Sequence, residues 1–107
     1  MYTIIYKMKL IEIKKSTKPE KKLMAIFDND GKNKTIHFGS SPNKDYTIYY
    51  KTDKKLAEEK KQAYIARHDV NEDFNKPDTA GALSRWILWN KPTVESSIKD
   101  FKKKFNV

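Results

Sequence analysis

Two apolar runs, KLMAIFD (22–28) and KTIHFG (34–39), stand on either side of the segment NDGKN. That pairing constrains the fold more than any other stretch of the chain. Strand side chains repeat every two residues, so Leu23, Ala25 and Phe27 share one face of the first run. Ile36 and Phe38 share a face of the second, with Thr35 and His37 on the other. Asp-Gly between two such runs signals a tight hairpin, because a type I′ turn needs positive φ there. A preceding run, KMKLIEIKK (7–15), is set off by the proline-containing STKPEK and is read as another strand. DYTIYY (45–50), rich in aromatic and β-branched residues, is expected to be a fourth.

At Asp53 the pattern changes. DKKLAEEKKQAYIARH is made of good helix formers behind an N-capping aspartate, with Leu56, Ala63 and Tyr64 on one face and Ile65 at its edge. DVNEDFNKPD (69–78) reads as a loop, after which Asp78 or Thr79 caps a helix running to residue 89. On a wheel of 100° per residue, Leu83, Trp86, Ile87 and Asn90 cluster on one side, and Arg85 and Trp89 sit together on another. Trp86 is therefore assigned to the core. Trp89 is either covered by the Arg85 guanidinium in a cation–π pair or turned to a partner as a stacking surface. Asn-Lys-Pro-Thr (90–93) breaks this helix, and Thr93 caps a last one. Its Val94, Ile98, Phe101 and Phe105 follow a 4-3-4 spacing that makes one apolar stripe. Two helices joined this way also share the outline of a helix-turn-helix.

The expected architecture is a single α+β domain over residues 1–107, an N-terminal antiparallel β-meander of three to four strands packed against C-terminal helices. Residues 1–52 should be mainly β and 53–107 mainly α. Leu23, Phe27, Ile36, Phe38, Leu83, Trp86, Ile87, Ile98, Phe101 and Phe105 should form the core.

Several functions are excluded or disfavoured. The chain has no cysteine, which removes disulfides, thiolate metal sites and cysteine nucleophiles. DNDGKN is not an EF-hand loop: counted from Asp28, position 6 is not glycine and position 12 is Gly39 rather than glutamate. There is no phosphate-binding glycine loop and no RNA-recognition signature. The apolar block at residues 3–6 is too short for a signal peptide or a membrane span, so a soluble protein that is not secreted is expected. No cofactor and no small-molecule substrate are called for, and a monomer or weak dimer is expected.

Charge points the other way. The chain carries 23 Lys+Arg against 14 Asp+Glu, a net of +9. The excess lies towards the two ends: residues 1–61 and 99–107 are net positive, while 62–98 hold one more acid than base. Such an excess attracts polyanions, nucleic acid above all; a lysine-rich solvated surface is the alternative. Lys14, Lys15, Lys18, Lys21 and Lys22 surround the first turn, and Lys32 and Lys34 flank the second. Lys99 and Lys103 lie opposite the apolar stripe of the last helix, with Lys102 and Lys104 flanking. Lysine neutralises phosphates without reading bases, so this composition favours affinity over sequence discrimination. HDVNED (68–73) offers a different chemistry, with His68, Asp69, Glu72 and Asp73 as a metal site for a nuclease. An exposed Trp89 would instead suit a protein-interaction module.

KTIHFG, DYT, YIARH, TAGALSRWILWNKPT and SIKDFKKKF together resemble a family of small basic proteins of giant nucleocytoplasmic large DNA viruses. The resemblance implies a viral context, in the virion and in the viral factory of the host cytoplasm. Arg67, His68, Arg85, Trp89 and Lys91 fall inside it and are candidates for a closer contact or a wedge between bases. LMAIFDNDGKNKTIHFG also looks like the first hairpin of the archaeal methanogen chromosomal protein, a small protein that bends duplex DNA; the helices after residue 79 depart from it. The expectation from residues and resemblances together is a non-enzymatic architectural protein that binds duplex DNA with little sequence preference and packages a genome.

Overall fold

The computed structural model describes residues 8–107; the apolar block at residues 3–6 lies outside them. The chain is an α+β fold. Strands β1 (Met8–Lys15), β2 (Lys21–Asn29) and β3 (Lys32–Ser40) form an antiparallel sheet in the order β1-β2-β3. At the β2–β3 turn Asp30 has φ 54° and Gly31 φ 88°, the positive pair that a type I′ turn demands. The Asp28 carboxylate accepts the Gly31 N–H at 2.9 Å and closes the turn. Leu23 pairs with Phe38 and Ala25 with Ile36, which puts the alternating apolar residues on one face. In β1 the register shifts between Leu10 and Glu12. The shift lets Leu10 and Ile13, three residues apart, both reach that face, and leaves Ile11 exposed.

The remaining elements are helical. DYTIYY is not a fourth strand: Tyr46–Tyr50 form the short helix α1. Asp45 decides this, because its side chain takes both the N–H and the hydroxyl of Thr47 and so caps a helical turn. Helix α2 (Lys54–His68) starts at Asp53, whose carboxylate accepts the Leu56 N–H at 3.0 Å. It buries Ala57 and Tyr64, whereas Ala63, expected on the apolar face, is exposed because α2 packs through a narrower contact. Thr79, not Asp78, caps α3 (Ala80–Leu83), which continues as a π-helical turn over Ser84–Leu88. There the Trp89 N–H reaches the Ser84 carbonyl at 3.1 Å, an i to i+5 bond. Thr93 and Ser96 cap each other reciprocally at the start of α4 (Val94–Phe105).

The core joins Leu10, Ala25, Phe27 and Phe38 of the sheet to Leu83, Ile87, Leu88 and Phe101 of the helices. Leu23, Ile36, Trp86, Ile98 and Phe105 pack at its margin. Fully burying one such side chain stabilises by about 1.5–3 kcal/mol. Gly39 sets the approach of the π-turn to β3. It has φ +81°, and a Cβ there would stand 2.7 Å from Leu88 Cδ1.

Candidate functional site

A cleft of about 500 Å³ opens at the β1–β2 end of the sheet. One wall is the sheet end, with Lys21, Lys22 and Gly39; the other is α2, with Lys60, Tyr64, Arg67 and His68. Lys44 and Tyr49 close one side, and Gly81 and Trp89 another. Lys60, Tyr64, Arg67 and His68 follow i, i+4, i+7, i+8, so a single helical face supplies them.

The cations here differ in freedom. Lys22 Nζ donates to Asp45 Oδ2 at 2.6 Å, and both side chains are largely shielded (17% and 4% exposed). That pair ties β2 to the start of α1, so Lys22 is a strut. Among the described residues, the other lysines paired with a carboxylate are Lys14 with Glu12, Lys34 with Asp78 and Lys61 with Glu58. Lys21, Lys44, Lys60 and Arg67 have no such partner among the described residues. Lys44 and Lys60 both stand over the Tyr49 ring, at 5.9 and 5.8 Å from its centre.

An aromatic column runs along the cleft. Trp89 stacks on Tyr64 with centroids 4.5 Å apart and planes 7° from parallel. Tyr64 stacks in turn on His68 at 4.3 Å and 28°. Two rings this close to parallel with Tyr64 cannot share one of its faces, so the order is Trp89, Tyr64, His68. Burial pushes the Tyr64 phenol up to about 12; Glu72 adds to the rise, while Ser84, Arg85 and Arg67 oppose it. His68 Nδ1 lies 4.0 Å from Glu72 Oε1. The Glu72 carboxylate occupies the space that a side chain at position 81 would fill, 1.3 Å from the Cβ position of Gly81.

The expected Arg85–Trp89 pair does not form. Trp89 ends the helix with φ −123° and ψ 36°, so a helical wheel no longer describes where its indole points. The Arg85 guanidinium instead covers Trp86 at 4.2 Å and donates to the Trp89 carbonyl at 2.6 Å. Burial lowers the Arg85 pKa. Trp86 also lies under Lys104 at 4.3 Å, and its indole N–H reaches the Phe74 carbonyl.

Of the residues singled out from sequence, Lys21, Lys22, Arg67, His68 and Trp89 meet in the cleft. Lys14, Lys15 and Lys18 lie at the same sheet end but outside its lining. Lys32 and Lys34 sit towards the opposite end of the sheet, roughly 20–26 Å away by strand length. Lys91, Lys99, Lys102 and Lys103 are exposed on the α4 side. His37, read as a hydrogen-bonding residue, bonds through Nδ1 with Ser16 Oγ at 2.7 Å. Sequence reasoning missed Lys44, Lys60, Tyr49 and Gly81; the one available signal was that Lys60 and Tyr64 share the helical face of Arg67 and His68. Among the described residues no three His, Asp or Glu side chains converge to hold a metal ion, the 68–73 stretch included. Nor is any described helix long and apolar enough to cross a membrane.

The model of DUF5754, a family of unknown function, matches residues 11–68. Those residues run from β1 through the end of α2 and carry the cleft's Lys21, Lys22, Lys44, Lys60, Arg67 and His68. No curated protein and no solved structure matches the chain.

Proposed function

This chain belongs to DUF5754, and we propose that it binds nucleic acid through the phosphate backbone, without enzymatic activity and with little sequence preference. The observation that carries this reading is the set of uncompensated cations at the β1–β2 end of the sheet. Lys15, Lys18 and Lys21 stand there without ion-pair partners among the described residues, with Lys44, Lys60 and Arg67 beyond them. Weak sequence preference follows from the arginines. Bidentate guanine contacts need a free guanidinium, and the chain has two arginines, of which Arg85 is committed to Trp86 and the Trp89 carbonyl. Duplex DNA as the partner, and a genome-packaging role in a large DNA virus, rest on the two resemblances described above.

The test is binding to a random-sequence DNA duplex across a salt series, with single-stranded DNA and duplex RNA as competitors. Counterion release predicts a log–log slope of roughly −4 or steeper, at about −0.9 per phosphate neutralised. Replacing Lys15, Lys18 and Lys21 together by alanine should flatten the slope by about 2–3, whereas Lys32→Ala should change it by less than about 1. No binding near physiological salt would reduce the charge to a solvated surface and end this reading.

A further inference from the structure

The cleft is the wrong size for a duplex and the right size for something smaller. At about 500 Å³ it has the volume of a small-ligand site. Its contents are unusual for a surface that only tracks a backbone, because free ammonium groups and an aromatic column occupy the same hollow. We propose that the cleft is a nucleotide site, taking one base on the outer face of His68 with its phosphate at Arg67, on the side of the cleft that Lys44 and Lys60 make positive. This deepens the nucleic-acid reading, and rests on it only for the case in which the nucleotide belongs to a strand.

The column has one open end. Trp89 packs against the core, and Tyr64 has a ring on each face. His68 therefore terminates the stack, and its side chain is 37% exposed in the cleft. A nucleobase continues such a column at little geometric cost, since every base presents a π-face. The Trp89, Tyr64 and His68 rings are already stacked without a ligand, so a base continues an existing column. The phosphate is directed by charge. Glu72 stands beside His68 and repels an anion at that end. Lys44 and Lys60 draw it towards the Tyr49 side, and Arg67, which lines the cleft one residue before His68 on α2, offers a two-pronged guanidinium within a nucleotide's reach of that ring. A base at the Glu72 end with a phosphate towards Lys44 and Lys60 satisfies both fields at once.

Two sources supply this chemistry, a free mononucleotide or an unpaired nucleotide of a strand. Amide NMR shifts of the full chain, titrated separately with AMP, adenosine, inorganic phosphate and the single strand (dA)10, distinguish them. AMP should move the amides of Gly39, Arg67 and Gly81 and leave Gly31, at the far end of the sheet, in place. Movement of the same amides by (dA)10 but not AMP would support the strand as the source. His68→Ala should weaken AMP by roughly tenfold while leaving inorganic phosphate unchanged, and His68→Phe, which keeps a ring at the end of the column, should restore it. Replacing Lys44 and Lys60 by alanine should weaken AMP and phosphate alike. The site is overturned if neither AMP nor (dA)10 moves these amides, or if AMP binds no tighter than phosphate and His68→Ala has no effect. Duplex binding, together with cleft amides that neither AMP nor (dA)10 moves, would sink the nucleotide site and spare the proposed function. Cleft shifts without duplex binding would do the reverse.

Discussion

The two ends of the sheet are built from the same residue types and come out differently. Each has a glycine at positive φ, a lysine–aspartate pair and a group of further lysines. At the β2–β3 end, Lys34 is paired with Asp78, Lys9 and Lys32 lie in strands beside the turn acids Asp28 and Asp30, and Gly31 has nothing within 4 Å of where a Cβ would stand. At the β1–β2 end, Asp45 is shielded from solvent and spent on one lysine, Gly39 is pressed against Leu88 and Lys22, and Lys15, Lys18 and Lys21 are left over. Lysine counts along the chain are similar in kind at the two turns. What differs is where the carboxylates fall and whether helices close over them, and the proposed anion binding rests on that difference.

The sharpest way to break the comparison is Asp45→Ala. It leaves Lys22 buried without its partner and removes the cap of α1. Removing one member of a buried pair costs about 3–5 kcal/mol, because the other charge stays desolvated. Urea unfolding should show a loss of that size. A loss under about 1 kcal/mol would mean that Lys22 swings out to water, and that the strut is no different from the exposed pair at the other end.

The glycines come next. Gly39→Ala and Gly31→Ala share the left-handed backbone penalty of about 1–2 kcal/mol, since φ is +81° and +88° respectively. Only Gly39→Ala also overpacks, with Leu88 Cδ1 at 2.7 Å and Lys22 Cβ at 3.2 Å from the new methyl. Overpacking of this kind adds about 1–3 kcal/mol. Thermal unfolding of the two variants side by side measures the difference directly. Equal losses would show that the π-turn slides away from β3 without resistance.

Much of this was legible in the sequence, and the exceptions share a cause. The Asp30-Gly31 turn, the face of Leu23, Ala25 and Phe27, the Thr93 cap and the stripe from Val94 to Phe105 are all local periodicities or local hydrogen bonds, and each stands as expected. Tyr46–Tyr50 defeated a propensity argument because the deciding group, Asp45, is fixed by Lys22 from 23 residues away. Trp89 defeated the wheel because the helix turns π at Ser84 and ends at Trp89 itself. The cleft was invisible for the plainest reason: five separated segments line it, and only the face of α2 repeats at a readable interval.

Alkaline titration sharpens the contrast further, since buried phenols belong to the crowded end. Tyr64 sits at about 12 in the folded chain, against about 10 when unfolded. Tyr46, in α1, is raised as well, by burial first and by Glu58 and Tyr50 after it. The unfolded state therefore loses its proton first. Stability is complete below pH 10 and falls between about pH 10 and 12, by roughly 2 kcal/mol for Tyr64. Chemical denaturation at stepped pH should show the decline, and Tyr64→Phe should flatten it. An unchanged slope in that variant would place the alkaline loss elsewhere.

The smallest expected effect lies at the quiet end. Lys34 Nζ meets Asp78 Oδ2 at 2.9 Å, within hydrogen-bond distance, yet the lysine side chain is 51% exposed. In water the attraction is screened, and holding a lysine in one rotamer offsets what remains, so such a pair is worth about 0.2–1 kcal/mol. Asp78→Ala should barely move the urea midpoint. It should, however, leave Lys34 uncompensated, and so convert the β2–β3 end towards the charge state of the other. If DNA binding follows uncompensated cations, this variant should steepen the salt dependence by up to about one phosphate's worth while costing almost no stability. A large stability loss with no change in salt slope would mean that the two ends differ in packing alone, and that charge has been given a role that belongs to burial.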